Sequence, residues 1–179
     1  MSGIISRNPD ANSGVVGRFP PGHVIQTVHE NSFQGSFNSS VTTWTATPNV
    51  ASITPKEQNS RILVSIDHMI YVTSPTTDTD TGAALSVWRS VNGASYAINK
   101  EFQNGSSTYI NSYNNDTSSS VNTEDAQRSS FRYLDSPGAV QSQVISYQIY
   151  FAQWAARGSA RSNDWTNCTT WVLQEIANV

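Results

Sequence analysis

The sequence predicts an all-β protein of roughly eight antiparallel strands, a sandwich, jelly roll or barrel, behind an extended N-terminal arm. Three observations carry this. Apolar and β-branched residues recur at every second position in several long runs, most clearly from Arg61 to Thr73. Gly, Pro and Asn punctuate the chain between those runs. No segment carries the 3.6-residue period of an amphipathic helix, and no internal repeat points to a propeller or solenoid.

The chain has 179 residues, enough for one domain with a real core. Charged residues make up 13 %, about half the usual share. Ser, Thr, Asn and Gln take their place, so the surface stays soluble through neutral polar groups. Aromatic residues reach 10 %, which argues against disorder. A net charge of −3 excludes nucleic acid and anionic membranes as expected partners. The single cysteine, Cys168, excludes an intrachain disulfide. Met1 to Arg7 lacks the apolar core of a signal peptide, so the sequons at Asn38, Asn104, Asn115 and Asn167 are not read as glycosylated.

Residues 1 to 22 show no period and end in Pro20-Pro21-Gly22, which reads equally as an arm that lies on something else or as a disordered tail. Residues 23 to 179 then form a single antiparallel β domain, the part to which the jelly-roll expectation below applies. His23 to Glu30 is the first strand. Asn31 to Ser40 reads as a loop. Val41 to Ala46 and Val50 to Thr54 are two short strands separated by Pro48. Lys56 to Ser60 turns the chain into Arg61 to Thr73. There Ile62, Val64, Ile66, Ile70 and Val72 share one face with His68. Leu63, Met69 and Tyr71 lie on the other, which a solvated antiparallel sheet would keep polar. That second face is therefore expected to be covered by another copy of the chain.

Ala84 to Val91 and Ala94 to Asn99 flank Asn92-Gly93, a hairpin turn because both residues tolerate positive φ. Gln103 to Gln127 reads as one long polar loop, where Tyr109, Tyr113, Asn114, Asn115 and Asp116 are candidates for ligand or receptor contact. Ser129 to Leu134 is a strand and Asp135 to Gly138 a turn. Gln143 to Trp154 places Ile145, Tyr147, Ile149 and Phe151 on one face, with Val144 and Tyr150 on the other. Ala155 to Asn163 is a loop. In the last strand, Trp165 to Ile176, Trp171 and Leu173 point opposite to Cys168, Val172 and Ile176. The candidate self-association set is thus Leu63, Met69, Tyr71, Val144, Tyr150, Trp171 and Leu173.

Chemistry is sparse. His23, His29 and His68 do not converge at a metal-binding spacing, and Asp78 with Asp80 supplies too few oxygens for calcium. There is no Gly-x-Ser-x-Gly elbow. Asp116, Glu124 and Asp125 lack the apolar surroundings that raise a general acid's pKa. Cys168 is expected to be a buried, inert thiol. Trp44, Trp88, Trp154, Trp165 and Trp171 serve core and contacts, with Trp154 and Trp165 best placed for a sugar platform. No enzyme activity, cofactor or metal is expected.

Several stretches, in order, resemble a virion module of tailed bacteriophages, common in phages of cyanobacteria and marine bacteria. They are Pro21-Gly-His-Val-Ile-Gln-Thr-Val, Val50-Ala-Ser-Ile-Thr-Pro, Asn59-Ser-Arg-Ile-Leu-Val and Leu85-Ser-Val-Trp-Arg-Ser. Phe131-Arg-Tyr-Leu-Asp-Ser-Pro, Val144-Ile-Ser-Tyr-Gln-Ile-Tyr and Leu173-Gln-Glu-Ile follow. The resemblance runs from about residue 20 to the C-terminus. It implies a knob-like jelly-roll homotrimer located in the virion and assembled in the host cytoplasm. Its partners would be itself, the major capsid protein or tail proteins, and a host surface glycan. The arm lies outside the module and no fibre shaft precedes it. That shifts the expectation toward a capsid decoration or cement protein, with a tail fibre or spike tip and a carbohydrate-binding module as alternatives.

Overall fold

The computed structural model of the chain describes residues 20–32, 37–39, 42–74, 81–101, 112–114, 123–138, 141–153, 159–162 and 168–178. Among them are eleven strands and no helix. They are β1 (Val24–Ser32), β2 (Phe37–Ser39), β3 (Thr45–Ile53), β4 (Arg61–Ser74), β5 (Thr81–Val91), β6 (Ala97–Glu101), β7 (Ser112–Asn114), β8 (Thr123–Asp135), β9 (Ile145–Gln153), β10 (Ser159–Ser162) and β11 (Thr169–Ile176). Every pairing is antiparallel. One sheet has the order β1-β11-β4-β10-β2, with β8 also paired to β4. The other has the order β3-β9-β5-β6, with β7 also paired to β5. The fold is a two-sheet antiparallel sandwich.

The inner faces meet in one core. Ile62, Val64, Ile66, Ile70, Val72, Trp171 and Leu173 come from the β4 sheet, and Ile53, Leu85, Val87, Ile145, Tyr147, Ile149 and Phe151 from the β9 sheet. The period-2 reading of β4 and β9 holds residue by residue, because these strands lie inside their sheets with one face packed. Trp171 and Leu173 correct the expected self-association set. Both are completely buried between the sheets and have no surface to offer a second copy.

The differences from the sequence reading have local causes. The pair of short strands around Pro48 is one edge strand, β3, with its register broken between Ala46 and Val50. The break is mended by side chains. Thr47 Oγ1 donates to the Ile149 carbonyl at 2.8 Å, and Gln148 Nε2 donates to the Thr47 carbonyl at 2.7 Å. An edge bulge tolerates a proline that a central strand would not. The expected loops at 31–40 and 155–163 contain β2 and β10. Part of the 103–127 loop belongs to β7 and to β8, which begins at Thr123 rather than Ser129. The start of β8, Thr123-Glu-Asp-Ala-Gln, is polar at successive positions and so shows no apolar period. Asn92 and Gly93 hold φ of 51° and 77°, as the hairpin turn demands. Gly22 N–H donates to the Ala177 carbonyl at 3.0 Å, so the ladder begins where the arm was expected to end. The arm itself, residues 1–19, lies outside the described residues.

Candidate functional site: polar clasps and two outer faces

On one rung of the β4 sheet, Gln26, Glu175, Ile62 and Asp135 lie side by side, facing inward. Glu175 is fully buried and Asp135 nearly so. A buried carboxylate needs donors, and each has a full set. Glu175 accepts from Gln26 Nε2 at 2.8 Å, Lys56 N–H and Glu57 N–H at 2.9 Å, and Ser60 Oγ at 2.7 Å. It thereby fastens the turn that carries the chain from β3 in one sheet to β4 in the other. Asp135 accepts from Arg89 Nη1 at 2.7 Å, Asn99 Nδ2 at 2.9 Å and Tyr147 Oη at 2.8 Å. It ties the end of β8 to β5, β6 and β9 across the sandwich. Burial, then the Asp135 charge, pushes the Tyr147 phenol far above its usual range. The two acids are some 10 Å apart by strand spacing. Their oxygens are engaged by the chain's own donors, an arrangement that builds a crossover rather than one that leaves a proton to give.

His68 is the other buried polar group the sequence singled out. It sits where the partner of β4 changes from β11 to β10. Nδ1 lies 2.7 Å from Thr169 Oγ1 of β11, and Nε2 lies 3.0 Å from Ser162 Oγ of β10. One imidazole therefore pins both ends of the segment between those strands. Burial, then the nearby Arg128 cation, lowers its pKa to about 3. His23 and His29 are exposed on or beside β1, and no group of three potential metal ligands occurs among the described residues.

The structure divides the remaining self-association candidates between opposite faces. Leu63, Met69 and Tyr71 are half-buried on the outer face of the β4 sheet. Leu63 lies beside exposed Leu134, and the Arg161 guanidinium sits 5.6 Å over the Tyr71 ring. That face is interrupted by Ser65, Asp67, Thr170 and three arginines. Val144, 43 % exposed, and Tyr150 belong to the β9 sheet side. Here Trp88 of β5 stacks on Tyr150 at 4.1 Å between ring centroids, and Ile98 lies opposite Trp88 with half its surface in water. The stack was hidden in the sequence because Trp88 and Tyr150 are distant in the chain and meet only through the β5–β9 register.

The outer face of the β4 sheet also carries a groove of about 460 Å³ lined by Ser65, Asp67, Ser130, Arg132, Thr170 and Val172. Cys168 is only partly buried and has its sulfur 3.8 Å from Thr170 Oγ1, so the expected buried thiol lies on this outward side instead. Among the candidates for ligand contact, Tyr113 and Asn114 fall in β7, whereas Tyr109, Asn115 and Asp116 lie outside the described residues, as do Asp78, Asp80, Trp154 and Trp165. No helix among the described residues is long and apolar enough to cross a membrane. Comparison with known protein families and with characterised proteins finds no match.

Proposed function

We propose that this chain is a non-enzymatic structural protein of a tailed-phage virion, a jelly-roll homotrimer that decorates and cements the capsid through its N-terminal arm. Self-association uses the outer face of the β9 sheet. The observation that carries this is the stack of Trp88 on Tyr150 beside half-exposed Ile98. Exposed apolar patches are normally covered by a partner. A second copy fits, because the patch offers flat aromatic area.

The phage resemblance gains support from placement. Its matching stretches contain Gln26, Ser60, Arg89, Asp135, Tyr147 and Glu175, and these residues meet in the two clasps at one end of the sandwich. Residues far apart in the chain that belong to those stretches thus close the fold together. The tail-tip alternative draws on the groove of the β4 sheet, which such a tip would present outward.

Light scattering should give three times the 19.5 kDa chain mass, and Ile98→Glu should reduce it to the monomer at micromolar concentration with the sandwich intact. A monomeric parent protein would sink the trimer. Quantitative mass spectrometry of the particle then separates the roles. Copy numbers near that of the major capsid protein support cementing, and a handful in multiples of three moves the protein to the tail.

A further inference from the structure

The groove on the outer face of the β4 sheet has a cause in the register. Two successive rungs, Thr170-Asp67-Ser130 and Val172-Ser65-Arg132, carry short side chains across β11 and β4. The rungs beyond them carry long ones, Gln174-Leu63-Leu134 on one side and Met69-Arg128 on the other. The depression is therefore about two rungs long and three strands wide, roughly 7 by 10 Å.

Its chemistry is specific. Arg128 Nε donates to Asp67 Oδ1 at 2.8 Å. Arg132 Nε donates to Ser65 Oγ at 3.2 Å, and among the described residues no carboxylate pairs with Arg132. Thr170 Oγ1 donates to Asn31 Oδ1 at 3.1 Å beside the groove. Arg128 and Arg132 both face outward at this groove, and Asp67 engages the first of them. The backbone of β4 is used on both edges, so the groove offers side chains: hydroxyls, a carboxylate and a guanidinium fork beside the apolar Val172.

We propose that this groove binds an acidic saccharide, with the Arg132 fork on the sugar's carboxylate or sulfate and Ser65, Ser130, Thr170 and Asp67 on its hydroxyls. The groove is open and sets polar groups around apolar surface, which suits the hydroxyls and C–H faces of a sugar and gives a peptide strand no edge to extend. This inference stands apart from the virion reading, since a sugar site on this face is compatible with any oligomeric state.

The test is amide chemical-shift mapping with trigalacturonate, the neutral galactotriose and a short single-stranded oligonucleotide, in 150 mM salt. Trigalacturonate is expected to shift the amides of Ser65, Asp67, Ser130 and Thr170, galactotriose at least tenfold more weakly. Arg132→Gln should weaken the acidic sugar at least tenfold. Ser130→Tyr, which fills the groove from an exposed position, should abolish binding and serves if Arg132→Gln disturbs the strand. Equal response to the neutral sugar, tighter binding of the oligonucleotide to the same amides, or indifference to both substitutions overturns the proposal.

Discussion

Replacing Glu175 by alanine is expected to cost about 3–5 kcal/mol of stability, the largest effect of any single polar substitution in this fold. The carboxylate is fully buried and accepts from four donors on two segments, β1 and the 56–60 turn. Two are the backbone N–H groups of Lys56 and Glu57, which no other part of the turn can satisfy in its absence. Each orphaned donor costs about 1–3 kcal/mol. A domain of this size is stable by about 5–15 kcal/mol, so the loss is a large fraction of the whole. At about 2–4 °C per kcal/mol, melting should fall by roughly 10 °C. Glu175→Gln should lose less, because its carbonyl oxygen can take the place of Oε1 and keep Lys56, Glu57 and Ser60, while its NH2 replaces the oxygen that faces Gln26 Nε2. Hydrogen exchange at the Lys56 and Glu57 amides should become fast in the alanine variant, which separates loss of the clasp from general loosening. A melting shift under about 2 °C would mean that the turn holds itself.

Acid should destabilise the protein through His68, and the sign follows from its lowered pKa. In the unfolded chain the imidazole takes a proton below about pH 6.5, while in the folded chain it stays neutral down to about 3. Between those values the unfolded state binds more protons, so stability is full above pH 6.5 and is lost as the pH falls. The slope approaches about 1.4 kcal/mol per pH unit, which amounts to about 2 kcal/mol lost by pH 5. Urea midpoints from pH 7.5 to 4.5 would read this. His68→Gln keeps a donor and an acceptor between Thr169 and Ser162 but cannot charge. It should be less stable than the parent at neutral pH and have a flatter profile. Parallel profiles for the two proteins would show that other groups carry the acid response.

The same two residues mark the boundary of what could be read from the chain. His68 was legible as an inward position, since it occupies an even rung of β4 among Ile66 and Ile70. That both its nitrogens would meet hydroxyls from β10 and β11 was not, because neither strand is near it in sequence. Glu175 was read only as part of the terminal Leu173-Gln-Glu-Ile, and its parity with Trp171 and Leu173 placed a charge on an apolar face without an evident partner. The partner was the backbone of a turn more than a hundred residues away.

Local chemistry determined a good deal. Side-chain alternation, β-branching and turn residues are properties of short stretches, so the all-β class, the inward faces of β4 and β9 and the Asn92-Gly93 turn were set by the sequence itself. Sheet membership, the order of strands and the meeting of Trp88 with Tyr150 were decided only in three dimensions. Hydrogen-bond ladders join segments by register, and register is settled by the fit of the whole core. Trp171 and Leu173 show the difference plainly. Alternation told that they share a face, but only the second sheet packed against them decided that this face was the core.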